Sequence, residues 1–363
     1  MSITLIYPYR NRDIERIEKS LVSLNNQSNK NFKVLFVDYG SDFDLAKKAE
    51  KLINTFDFCE YIYSYHIHQP WSRPRAINIG VKIVETDYVF IADIDMIFRL
   101  DFIEKLQDLK DPNKSYFFKV GYLTEEETKI IKPFNEYSPK FYSNNEAQGL
   151  SLFPTQALKK VNSHDEYIHF WGADNDIHNR LINNGLTSVF YDKEVLMYHQ
   201  WHVIYANEIK DVLAVKPQLP IITKINQQLQ NSNKENKVTK VNLTEEWGLV
   251  IKKEEYELLK KNKKTIFISN REDDFLHFLY VSLPRVKEVI DVTFYEDPTR
   301  KTLKYKVKKM LKRKVYKYYS LKNINDILLL HLISFYKNSP YLYEVSDDLK
   351  RINLKLIKKI KTE

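Results

Sequence analysis

The chain has 363 residues, 43% of them hydrophobic and 29% charged, a balance that excludes a disordered or low-complexity polymer and leaves room for two globular units. The single cysteine, Cys59, excludes an intramolecular disulfide framework, and MSITLIYPYRNR carries too short an apolar run for a signal peptide, so the expected compartment is the cytosol. The net charge of +9 is uneven: residues 301–363 hold 17 Lys/Arg against 5 Asp/Glu, which excludes an even spread of basic surface.

In chain order, Ile3–Tyr7 reads as a strand ending at Pro8-Tyr9-Arg10, and Ile14–Leu24 as an amphipathic helix with Ile14, Ile17, Leu21 and Leu24 on one face. Phe32–Val37 is a second strand, stopped by Asp38-Tyr39-Gly40-Ser41-Asp42, with a helix over Leu45–Ile53. His66 and His68 are two apart, a spacing that fits ordinary polar surface as well as a metal site, and surface is the reading adopted. Arg73–Val84 reads as a helix and Tyr88–Ala92 as a buried strand that delivers Asp93 and Asp95 at its end. This alternation implies an α/β fold with a mainly parallel sheet, in which ligands bind beyond the carboxyl ends of the strands. Three strand ends then carry polar clusters on one edge.

A D-x-D at such an end sets one carboxylate on a divalent cation and the other on a sugar hydroxyl or metal-bound water. The bland alternative is a solvated or helix-capping pair. Arg73 and Arg75 lie where a diphosphate needs positive charge, and guanidinium geometry suits phosphate.

Together, Y-P-Y-R-N-R, V-D-Y-G-S-D, the R-x-x-N-x-G of Arg75, Asn78 and Gly80, and the D-x-D resemble family 2 glycosyltransferases of GT-A fold. The likeness covers residues 1 to about 205. It implies that Pro8, Tyr9 and Arg10 lie against base and ribose, that Asp38 contacts the base, and that Arg75 and Asp93 serve the nucleotide sugar while Asp95 holds the metal. Tyr39 stands where the family has a second acid, so only Asp38 is carried over, its alternative reading being a turn residue that caps the next helix.

Farther on, NEAQGLSL places Gly149 in an acceptor-side segment, and HDEYIHFWGADNDIHNRLINNG resembles the W-G-x-E-D…R-L region of galactosyltransferase and chondroitin-polymerase-like relatives. The resemblance puts a family acid at Asp174. In an inverting transfer a carboxylate must take the acceptor hydroxyl proton, and Asp174 is assigned that role, with Asp176 in reserve. Asp174 is also suited to capping a helix over Asn175–Asn184, and the two duties are compatible. Trp171, beside Gly172, offers either a flat face for a sugar ring or a core side chain. Downstream, Met197–His202 supplies a third metal ligand, His199, with His202 as alternative; imidazole suits Mn²⁺ better than Mg²⁺.

The expectation is a GT-A catalytic domain over 1–205, a polar linker over 206–245 partly wrapped on the catalytic unit, and a smaller, mostly helical region over 246–363, with strands at Thr265–Ser269 and Val289–Phe294. Lys301–Tyr319 and Leu349–Ile360 show apolar residues at helical spacing among lysines, a design for an anionic membrane surface or for a helix face docked on its own domain. Nucleic acid ranks below both, since no nucleic-acid module accompanies the charge. The expected activity is metal-dependent transfer from a UDP-linked nucleotide-diphosphate sugar to a saccharide or lipid-linked saccharide, with inversion, in bacterial surface polysaccharide or capsule synthesis, cytoplasmic or peripheral on the inner membrane face. Two other classes stay open: a non-catalytic sugar-nucleotide or glycan-binding module, and a nucleotidyltransferase, although Tyr7–Arg12 lacks the glycine-rich phosphate loop of the latter.

Overall fold

In the computed structural model, described for residues 2–169, 171–203, 212–216, 218–261, 264–287 and 289–358, the chain divides into two compact units. The first comprises residues 1–64, 71–207 and 223–250, and the second 65–70, 208–222 and 251–363.

The first unit runs β1 (Ile3–Tyr9), α1 (Ile14–Asn25), β2 (Phe32–Asp38), α2 (Phe43–Ile53), β3 (Cys59–Tyr63), α3 (Arg73–Ile83), β4 (Tyr88–Ile91), β5 (Met96–Phe98), α4 (Phe102–Asp108), β6 (Lys114–Phe118), β7 (Gly121–Tyr122), α5 (Glu125–Lys129), β8 (Phe141–Tyr142), β9 (Ser151–Pro154), α6 (Thr155–Lys160), α7 (Ala173–Asn183), β10 (Thr187–Tyr191), β11 (Met197–His199) and α8 (Ile222–Glu235). Its main sheet has seven strands in the order β10-β6-β9-β4-β1-β2-β3, parallel except for β9.

Every residue of β1 is buried, because the strand is covered on both faces. Ile3, Leu5, Tyr7 and Tyr9 join a cluster with Ile17, Leu21 and Leu24 of α1, while Ile6 faces Ala76, Ile77 and Val81 of α3. Gly80 is what lets α3 come so near: a Cβ there would lie 2.9 Å from Ile6.

Pro8 would be expensive inside a central strand, since it has no N–H. Pairing of β1 with β4 ends at Ile6–Ile91, and alternation points the Pro8 nitrogen to that released side. The proline therefore breaks no ladder bond, and the sheet splays open where β4 hands over to Asp93. A second sheet, β5-β11-β7-β8, lies beyond that edge.

Residues 223–250, most of them within the expected polar linker, pack on the first unit. Asn242 Nδ2 donates to the carbonyls of Asn162 (3.0 Å) and His164 (2.8 Å), and Trp247 and Val250 pack on the α3 side of the core. Residues 206–211 and 217 of that expected linker lie outside the described ones.

The second unit contains α9 (Lys253–Lys260), β12 (Ile266–Ser269), α10 (Glu272–His277), β13 (Val289–Tyr295), α11 (Leu303–Met310), α12 (Leu321–Phe335), β14 (Tyr341–Val345) and β15 (Arg351–Ile357). Its sheet order is β12-β13-β15-β14, so this region holds four paired strands where mostly helix was expected. The expected helix over Leu349–Ile360 is corrected. Residues 351–357 form a strand antiparallel to both neighbours, with Ile352, Leu354 and Leu356 fully buried at every second position; Ile360 lies outside the described residues. Of Lys301–Tyr319, only Leu303–Met310 is α-helical. Among the described residues no helix is long and apolar enough to cross a membrane.

Candidate active site

Past β4 the chain turns so that Asp93 and Asp95 face different neighbours. β5 pairs antiparallel with β11, setting Met96 opposite His199, and Gln200 N donates to the Asp95 carbonyl at 2.9 Å. Asp95, His199 and His202 thereby converge, with one ligand atom from each lying within 4.8 Å of the others. His199 Nε2 is 3.5 Å from Asp95 Oδ1, and His202 Nε2 is 3.3 Å from Asp95 Oδ2.

These groups fit a divalent cation. Asp95 Oδ1 is buried and accepts no hydrogen bond, which would be costly without a cation to satisfy it. His202 Nδ1 donates to the Val203 carbonyl at 2.8 Å, so the lone pair of Nε2 is the one presented toward Asp95. Burial lowers the pKa of His202 from its usual range and favours the neutral imidazole that a ligand must be. His199 lies on the Tyr122 ring at 4.9 Å, and Tyr122 stacks on Phe141 at 4.7 Å, which fixes the imidazole plane.

Beside this triad lies a second cluster. Ser72 caps α3 and puts Arg73 in its first turn. Arg73 Nη1 donates to Asp174 Oδ1 at 2.7 Å, Nη2 to the Gly149 carbonyl at 3.0 Å, and Nε to Asp93 Oδ1 at 3.1 Å. One guanidinium thus ties the end of β4, the loop before β9 and the start of α7. Tyr122 sits in the field of this group: burial first, then Asp93, Asp95 and Asp174, push its phenol up to about 12.

Residues 4–182 match the family model for glycosyl transferase family 2. Those residues form a domain of that family. No curated protein matches the chain. Among solved structures, a crystal structure of GalNAc-T7 with UDP, GalNAc and Mn²⁺ is similar at 12% identity, covering 56% of this chain and 43% of that one with a TM-score of 0.43. A crystal structure of S. aureus TarS is similar at 15% identity, covering 65% of this chain and 41% of that one, TM-score 0.44. The chain matches less than half the length of each.

Within the family 2 domain, the residues expected at the site separate into two groups. Asp93, Asp95, Gly149, Asp174 and His199 come together, and His202 joins His199 rather than replacing it. A Cβ at Gly149 would approach Asp174 Oδ2 to 3.3 Å, so a larger residue there would crowd the carboxylate. Trp171 is 59% exposed, which removes the core reading and leaves its ring open to solvent. Gly172 begins α7 at φ +96°, where a Cβ would overlap Gln230 Nε2 at 1.9 Å. Its part is backbone geometry.

Three assignments are corrected. Asp176 is buried in an ion pair with Arg180 (2.6 Å) and accepts from Asn233 Nδ2 (2.8 Å), so it holds α7 down and is closed to an acceptor hydroxyl. Arg75 is buried against Glu166, 3.8 Å away, and Arg73 is the arginine that reaches the acids. Asp38 is fully buried; Ser41 N donates to Oδ1 and Tyr61 OH to Oδ2, both at 2.7 Å, which leaves a turn-capping carboxylate with no face toward a nucleotide. Burial is the main cause that lifts its pKa to about 6. Pro8 and Tyr9 are also buried, Tyr9 OH donating to the Arg12 carbonyl at 3.0 Å, while half-buried Arg10 follows the end of the strand. Next to them Asn11 and Asp42 exchange hydrogen bonds, joining the loops after β1 and β2.

Sequence reasoning missed the supports. Asn226 Nδ2 donates to the carbonyls of His169 (2.6 Å) and Trp171 (2.9 Å), and Glu166 accepts from Asn78 (3.1 Å) and from Gly248 N (2.8 Å). The only signal was a run of Asn and Gln in 226–242, which reads as a loop unless its partners are known.

Proposed function

We propose that the chain is a metal-dependent glycosyltransferase that moves a sugar from a nucleotide-diphosphate donor to a saccharide, inverting the anomeric centre. The observation that carries this is the adjacency of the Asp95–His199–His202 triad to the Arg73–Asp93–Asp174 cluster. Asp95, His199 and His202 would hold the cation, and two imidazoles beside one carboxylate favour Mn²⁺ over Mg²⁺. A cation bound there supplies positive charge to the leaving diphosphate.

The remaining work falls to the side chains. Asp174 accepts the proton of the acceptor hydroxyl as its oxygen bonds to the anomeric carbon; the bond from that carbon to the phosphate oxygen breaks, and its electron pair leaves with the nucleotide diphosphate. Asp93, at the strand end, would bind a sugar hydroxyl, and Arg73 fixes the two carboxylates relative to one another. Trp171 presents an aromatic face for the acceptor. A UDP-linked donor is favoured by the family likeness of the first two strand-end loops, though not through Asp38 itself. The setting proposed is surface polysaccharide synthesis at the inner face of a membrane, with a lipid-linked saccharide as acceptor.

A panel of nucleotide sugars incubated with Mn²⁺, with and without EDTA, tests the reading. Release of nucleoside diphosphate from one donor, abolished by EDTA and by Asp95→Ala, is expected; turnover unaffected by either would remove the metal-dependent mechanism.

A further inference from the structure

Between Asp297 and Asp326 the chain contains eleven Lys/Arg and no acid. α11 lies within this stretch and buries none of its residues. Leu303 and Met310 are 80% and 75% exposed, and Val307 and Leu311 are exposed as well. At about 100° per residue these four fall within an arc of roughly 100°, with Lys304 and Lys306 at its two margins. An apolar stripe flanked by lysines normally faces a core; this one faces solvent.

The segment is anchored at both ends. On one side Arg271 pairs with Asp297 at 2.6 Å and lies over the Tyr316 ring at 4.4 Å; on the other, Tyr318 bridges to Arg271 and Tyr319 N donates to the Asn270 carbonyl at 3.0 Å. Tyr305 OH donates to the Tyr316 carbonyl at 3.2 Å, which closes the arm on itself. Among the described residues none of the cations from Lys304 to Lys317 makes an ion pair, so the charge is not consumed internally.

We propose that α11 is a docking surface for an anionic lipid bilayer. The apolar stripe enters the interface while the lysine stems lie along it with their ammonium groups among the headgroup phosphates. A soluble polyanion would match the charge but leave Leu303 and Met310 in water. A second copy of the same arm would match the stripe but set like charges together. Only a surface that is both negative and apolar beneath satisfies both features. The proposal rests on the reading that the acceptor is presented at a membrane, and donor turnover in lipid-free solution reports on sugar transfer separately.

The test is sedimentation of the full chain with phosphatidylglycerol-containing vesicles and with neutral phosphatidylcholine vesicles, at low and high salt. Pelleting with the anionic vesicles alone, weakened by salt, is expected. Lys304→Ala/Lys306→Ala should lower affinity roughly 20–30-fold, about fivefold per lysine, and Leu303→Ser/Met310→Ser on the order of tenfold or more even at low salt. All four side chains are exposed, so circular dichroism should be unchanged. Equal pelleting with both lipids, pelleting with neither, or full binding by the Leu303/Met310 variant with displacement by soluble polyphosphate would each overturn the proposal. Loss of vesicle binding with donor turnover intact would sink this inference and leave the sugar-transfer reading standing.

Discussion

Arg73 and an acceptor hydroxyl compete for the same carboxylate, because Asp174 Oδ1 already accepts from the guanidinium at 2.7 Å. Asp174→Asn keeps the shape and one acceptor for Arg73 while removing the proton acceptor. Donor affinity measured by calorimetry should persist while kcat falls about 10²–10⁴-fold; near-normal turnover would take the base role from Asp174. Asp38 offers a different test. Burial raises its pKa in the folded chain from 3.8 to about 6, so the folded state binds that proton more readily than the unfolded one. The resulting stability is full below about pH 4 and is lost as pH rises through about 6, roughly 3 kcal/mol in all. Asp38→Asn removes the titration, so denaturant melts at pH 4, 5 and 6 should show a flatter dependence than wild type; an unchanged slope would contradict a buried, raised carboxyl. The D-x-D and both histidines were legible because their spacing is local. Asp38 and Asp176 were misjudged because an acid's type is written in the sequence and its burial is not: Asp176 depends on Asn233, 57 residues away.

At the scale of elements, helix and strand signals compete where spacings overlap. Leu349, Ile352, Leu356 and Ile360 suit a helix, yet Ile352, Leu354 and Leu356 also alternate, and pairing on both sides by β13 and β14 selects the strand. The β-α alternation of the first unit had no such rival and was readable at β1, α1, β2, α2, α3 and β4, while β3 went unassigned. The α7 start shows how an element can depend on one backbone angle. Gly172→Ala places a Cβ at φ +96° and against Gln230, so it should cost about 1–3 kcal/mol and lower the melting temperature by about 2–4 °C per kcal/mol. Adding Gln230→Ala relieves the overlap but not the backbone strain, and calorimetry should show partial recovery. Full recovery would assign the whole effect to crowding.

At the scale of the molecule, the two units are interleaved along the chain, each assembled from three separate segments. A cut after residue 205 therefore does not release an intact domain: it deletes Asn226, Asn233 and Asn242, which bind the loop and helix carrying Trp171 and Asp174. Residues 1–205 alone should show no cooperative thermal transition and rapid proteolysis; a sharp transition matching that of the whole chain would mean residues 223–250 are dispensable. The sequence concealed this because polar residues that bridge carbonyls look like residues that face water.

The excursion at Tyr65–Pro70 sets the timetable of biogenesis. Gln69 Nε2 donates to the Tyr341 carbonyl at 3.0 Å, and Tyr343 N donates to the His68 carbonyl, partners some 272 positions apart. At about 5–20 residues per second, a ribosome needs roughly 15–50 s to make the second partner after the first has emerged. Throughout that interval the nascent hexapeptide waits with its polar groups on solvent, and the second unit closes only as the last strands leave the exit tunnel.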